Sequence, residues 1–160
     1  MDEPVPVGRA VAGCLVIAIA GFVLALLVRP LIFTVAPPRD DSAVSVAAAG
    51  DVRGAPVERD VLLSRSYGWD GERDAGDGRV QLRLIVAPVR FGGVAVLNGS
   101  SPAAEDCRVE IGADRLTDCE GRAWTFEGDP LDSADPPLQR FPASSESGTI
   151  VADLTRTLDR

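Results

Sequence analysis

Residues 80–99 run VQLRLIVAPVRFGGVAVLNG. Val80, Leu82, Leu84 and Val86 alternate with Gln81 and Arg83, the period-two pattern of a strand with one face buried and one wet. Pro88 has no amide hydrogen for a ladder, so the strand is expected to end before it. Val94 to Leu97 form a second apolar run, closed by Asn98-Gly99, a dipeptide suited to a tight turn. Asn98-Gly99-Ser100 also matches a glycosylation sequon, and the turn is the preferred reading.

Outward from this stretch, Val57 to Arg65 is expected to form a first strand. Arg108 to Ile111, Ala123 to Phe126 and Thr149 to Leu154 are expected to form further short ones. Between them, Tyr67 to Gly78 (YGWDGERDAGDG) reads as a loop by composition. Its carboxylates invite comparison with a calcium loop. Asp70, Glu72 and Asp74 hold ligand spacing, but Ala75 stands where the turn glycine belongs and Gln81 where a bidentate Glu should close the site. The plain reading is a solvated hairpin loop. Residues 54–160 are therefore expected to be a small, mainly-β, antiparallel domain of sandwich or barrel type.

The N-terminal part is different. After a short tail, residues 1–9, residues 10–28 read AVAGCLVIAIAGFVLALLV without a charge. As a helix this stretch is roughly 28 Å long, the thickness of a bilayer core. Arg29-Pro30 and a second apolar run follow, so residues 10–36 are expected to be a single transmembrane helix and its end. Cys14 lies at the start of the apolar stretch, whereas a lipobox cysteine lies after it. Pro37 disfavours signal cleavage after Thr34-Val35-Ala36. The span is expected to be retained, with the lipid bilayer as partner of residues 10–28. Residues 37–53 (PPRDDSAVSVAAAGDVR) are expected to be a flexible stalk.

The chain has 160 residues, a net charge of −8 and no histidine, and every basic residue is Arg. An acidic domain repels phosphate backbones, so no nucleic-acid partner is expected. The lack of histidine removes the usual acid–base group near neutral pH and the commonest nitrogen ligand for metals. Paired carboxylates could make a hydrolase. The acidic residues cluster in Gly-rich loops, however, where solvated charge is the ordinary explanation. The chain is read as non-catalytic and without a cofactor.

Cys107 and Cys119 are the cysteines outside the apolar stretch. Each follows an aspartate, and negative neighbours disfavour a thiolate nucleophile. A zinc site of two thiolates and two carboxylates is the weaker reading and a disulfide the stronger. Closing that loop stabilises the fold by about 3 kcal/mol in the chain-entropy treatment. A disulfide implies an oxidising compartment. Flanking Arg residues lean weakly toward a cytoplasmic C-terminus, and the cysteine pair points the other way. The domain is therefore expected to face outside the cytoplasm at the cell membrane.

The residues around the pair carry a resemblance. Cys107-Arg108-Val109 is followed by Cys119-Glu120-Gly121-Arg122-Ala123-Trp124-Thr125-Phe126 and Gly128-Asp129-Pro130-Leu131. Then come Pro136-Pro137-Leu138-Gln139-Arg140-Phe141-Pro142 and Gly148-Thr149-Ile150-Val151-Ala152-Asp153-Leu154. In order and spacing this resembles the C-terminal half of a Rieske iron–sulfur domain. That family reads Cys-x-His, Cys-x-x-His-Gly, a Gly-x-Pro turn, a Pro-Leu strand and a closing strand. The resemblance implies a Rieske-like β fold and, for a complete member, electron transfer. Here Val109 and Arg122 stand at the two histidine positions, so the resemblance is to a degenerate domain without a cluster. The expected function is that of a membrane-anchored interaction or accessory subunit whose partner is another membrane or envelope protein. Tyr67, Trp69, Trp124 and Phe141 are its candidate partner-contact aromatics, the competing role for them being core filling. Electron transfer and a carboxylate-dependent hydrolase are the alternatives.

Overall fold

The computed structural model describes residues 41–90, 92–104 and 106–158. The expected membrane helix and N-terminal tail lie outside these residues. Among the described residues no helix is long and apolar enough to cross a membrane. They form β1 (Val44–Ala48), β2 (Val57–Leu63), β3 (Arg73–Gly76), β4 (Arg79–Pro88), β5 (Val94–Asn98), β6 (Glu110–Ile111), β7 (Leu116–Thr117), β8 (Ala123–Trp124), β9 (Arg140–Phe141), β10 (Ala143–Glu146) and β11 (Thr149–Ala152). Among the described residues every strand pairing is antiparallel.

β4 is the axis of the largest sheet, whose order is β2-β4-β5-β9 with β3 added beside the start of β4. Its register places Val61 opposite Leu82 and Ile85 opposite Leu97. Leu82, Leu84 and Val86 point to one side. There they pack with Leu63, Val96 and Phe141, with Val46, Ile150 and Ala152 of the second sheet, β1-β11-β10, and with Leu154 beyond it. Ile85 points to the other side, into a second cluster with Ala95, Leu97, Val109, Leu116, Trp124 and Leu138. The third sheet, β6-β7-β8, supplies Leu116 and Trp124 to that cluster. A central strand buried on both faces thus joins two cores, which is why its apolar run becomes continuous at 84–87.

The expected strands on 57–65, 80–86, 94–97, 108–111, 123–126 and 149–154 all carry strand residues, several shorter than their apolar runs. Four readings need correction. The stalk is the first. Within 37–53, Val44–Ala48 pairs with β11, and Val46, Ala47 and Val52 are buried. Alanines 47–49 look like linker, but small side chains fit where β1 bulges between Ser45 and Ala47 against β11. Asp41, 2% exposed, pins the entry to this strand, accepting hydrogen bonds from Ser64 N (2.8 Å), Ser64 Oγ (2.6 Å) and Tyr67 Oη (3.1 Å). The domain therefore begins by Asp41, not at residue 54.

The second correction concerns 67–78, where Arg73–Gly76 is a strand and Asp77-Gly78, both at positive φ, form its turn into β4. The third is Asn98-Gly99, which is no tight turn. Asn98 is fully buried at the end of β5; its Nδ2 donates to Asp70 O (2.9 Å) and Gln139 Oε1 (2.6 Å), while Oδ1 accepts from Ser100 N (3.1 Å). A buried side chain so engaged is also unavailable as a glycosylation acceptor. The fourth is the end of the central strand, which includes Pro88 as its last residue, opposite Val94.

Leu84→Ala, at a fully buried site on the central strand, should cost about 2–5 kcal/mol in urea unfolding. Leu62→Ala, at a position 43% exposed on β2, should stay within about 0.5 kcal/mol of the parent.

Candidate functional site

The sequence motif around the two cysteines folds into two loops at one end of the small sheet. The first runs from Ser100, bridged to Arg108, through a turn in which Cys107 N donates to Ala104 O and Ser101 N to Cys107 O. The second is the turn between β7 and β8, residues 118–122. It is closed by Asp118 N to Arg122 O (3.0 Å) and by Gly121 at φ 83°. A disulfide joins Cys107 to Cys119 across the loops, as expected from the sequence. Cys107 is buried and Cys119 exposed. The backbone N–H of Cys119 donates to Cys107 Sγ at 3.0 Å.

Asp118 organises both loops. Its Oδ1 accepts from the backbone N–H of Glu120 (3.0 Å) and of Arg122 (2.9 Å). Its Oδ2 accepts from Ser101 Oγ (2.8 Å) and Arg122 Nε (2.8 Å). Burial pushes this carboxyl up, but the Ser101 and Arg122 bonds and the two backbone N–H groups outweigh it and hold the pKa below the usual 3.8. Arg122 also pairs with Glu120 (2.9 Å), and its Nη2 is buried without a partner. The sequence shows Asp118 only as a negative neighbour of a cysteine. Its role as the hub was missed because Ser101, seventeen residues earlier, has no motif linking it to the turn.

The two positions opposite these cysteines now have definite environments. Val109 is fully buried in the second core, and its N–H donates to Gly99 O. Arg122 is a cation locked into two ion pairs.

The four aromatics separate. Trp124 and Phe141 are 0% and 1% exposed and are core residues, not partner contacts. Trp124 Nε1 is satisfied by Pro136 O (2.8 Å). Tyr67 and Trp69 are half-buried; they stack at 6.4 Å, and Trp69 meets Phe141 edge-on at 5.8 Å. Trp69 Nε1 donates to Leu154 O (3.1 Å). Trp69 also lines a cleft with Asp70, Gly71, Ser100, Ser101 and Asp106.

Comparison with known structures bears on this end of the molecule. The chain is similar to a Rieske ferredoxin chain in the complex of reduced oxygenase and oxidized ferredoxin in carbazole 1,9a-dioxygenase. The TM-score is 0.51 at 17% identity, over 74% of this chain and 99% of that one. The fold is Rieske-like. No family model matches the chain, and no curated protein matches it.

A Rieske cluster is held by two thiolates and two imidazoles. Here the two sulfurs are bonded to each other, Val109 offers an apolar side chain, and Arg122 offers a cation already engaged by carboxylates. The residues do not fit the group.

Since the pKa of Asp118 is lowered on folding, its stabilisation is complete above the ordinary carboxylate range and is lost as pH falls through the lowered value. Asp118→Asn should cost about 1–3 kcal/mol at neutral pH and flatten the acid limb of a stability-versus-pH curve below about pH 4. Asp153 is raised by burial but lowered further by Thr155 and Arg156, so it keeps a residual slope.

Proposed function

We propose that the chain is a single-pass, membrane-anchored domain facing out of the cytoplasm. It is a Rieske-like module without a cluster that serves another membrane or envelope protein as an accessory or interaction subunit. The observation that carries this reading is that none of the four cluster positions offers a free ligand: two are substituted and the two retained cysteines are bonded to each other. A disulfide stands for the two thiolates, buried Val109 for one imidazole and ion-paired Arg122 for the other. A domain that keeps the scaffold while its reactive end is closed by covalent and ionic links has lost the chemistry and kept the shape. The outward orientation is supported by the disulfide, which persists in oxidising compartments. The anchor is supported by the uncharged run at residues 10–28.

Electron transfer is the second reading, favoured by the ferredoxin-like fold. Fold by itself does not carry function, and the donor set for an iron cluster is missing.

The orientation has a direct test. Ser147, exposed at the β10–β11 turn, is replaced by cysteine in the full chain with Cys14→Ala. Ser147→Cys should react with a membrane-impermeant maleimide on intact cells, and the chain should stay with membranes after carbonate extraction. Labelling only after permeabilisation would place the domain in the cytoplasm.

A further inference from the structure

The disulfide is asymmetric in a way that a purely structural staple does not require. Cys107 is 4% exposed, whereas Cys119 lies exposed at the head of its turn. The one backbone N–H that reaches either sulfur, among the described residues, comes from Cys119 and points at the buried Cys107 Sγ, 3.0 Å away. That donor sits where negative charge would develop if the bond broke toward Cys107. The acidic neighbours that seem hostile to a thiolate are half neutralised, since Asp118 and Glu120 share Arg122 at 2.8 and 2.9 Å. Asp106 and Glu110 remain as exposed carboxylates nearby, balanced in part by exposed Arg108.

We propose that Cys107 and Cys119 form a two-electron dithiol/disulfide couple, entered through Cys119, that exchanges with a partner protein bearing a dithiol. The proposal rests on the cluster-free reading above and names the chemistry of its partner. In the exchange, a partner thiolate attacks Cys119 Sγ. The Cys107–Cys119 bond breaks, and its electron pair leaves on Cys107 Sγ, held by the Cys119 N–H and then protonated. The partner's second thiolate attacks the partner sulfur of the mixed disulfide, and Cys119 leaves as a thiolate and takes up a proton. The partner dithiol is oxidised to a disulfide and the domain's disulfide is reduced to a dithiol, with two electrons and two protons transferred. The reverse sequence oxidises the domain. The attacked sulfur is the accessible one and the leaving sulfur the one with a waiting hydrogen-bond donor, which sets the direction of opening.

The test uses the full chain with Cys14→Ala in mild detergent. Dithiothreitol is added with and without denaturant, aliquots are quenched in acid and alkylated, and thiols are counted by intact mass. Reduction of the native protein should proceed within about tenfold of the rate in denaturant; stronger protection overturns the exchange. Separately, Cys119 in a Cys107→Ser variant should form a mixed disulfide with oxidised glutathione at least about tenfold faster than Cys107 in a Cys119→Ser variant. Equal or reversed rates also overturn it. The measurement on the chain that keeps both cysteines stands even if a single-cysteine variant fails to fold. Stoichiometric iron with a visible spectrum in the untreated protein would defeat the cluster-free reading itself. An intact disulfide that resists native reduction would defeat only the exchange.

Discussion

Two loops at the end of the small sheet have to be held in register, and the residues there do not fit the iron cluster that the resemblance implies. The Asp118 carboxylate takes that role. It accepts two bonds from its own turn, one from Arg122 and one from Ser101 of the opposite loop. The disulfide adds a covalent link beside it. A buried carboxylate is tolerable because its acceptor sites are filled and its charge is met by a guanidinium. Removing either partner leaves a desolvated charge. Breaking this hub is therefore costlier than an exposed ion pair such as Arg115–Asp114 would suggest.

The same loops are fixed to the body of the domain by apolar packing. Val109 and Trp124, from the segments that leave the two cysteines, both enter the second core beside Ile85 and Leu97. Val109 thus belongs to the packing of the central strand, where an imidazole would have to be buried without a partner. At this position a core residue stands where the resemblance would place a cluster ligand. At Arg122 the corresponding position holds a cation that pairs with Asp118 and Glu120.

Much of the main sheet was legible because its residues obey simple periodicity. The alternation from Val80 to Val86 and the run from Val94 to Leu97 are strands for the reason the pattern states. Val44–Ala48 was not legible, since alanines read as linker until β11 is present to receive them. Asn98 was misread because Asn-Gly is a strong local turn signal, and the two tertiary hydrogen bonds of its Nδ2 override it. At the site, the cysteine pairing and the two substituted positions were readable from the motif. The hub was not, because Ser101 and Asp118 meet only through the fold. Trp124 and Phe141 show the limit of reading aromatics without burial: both are core, and only Tyr67 and Trp69 keep exposed surface.

The Rieske-like scaffold here is closed by a disulfide, a buried valine and an ion-paired arginine, a set that does not fit an iron–sulfur cluster. Iron quantitation on the full chain, isolated without oxygen from iron-replete cells, tests this claim most directly. The claim predicts no iron above the level of a histidine-free control protein and no visible absorption. Stoichiometric iron with a visible spectrum that bleaches on reduction would contradict it.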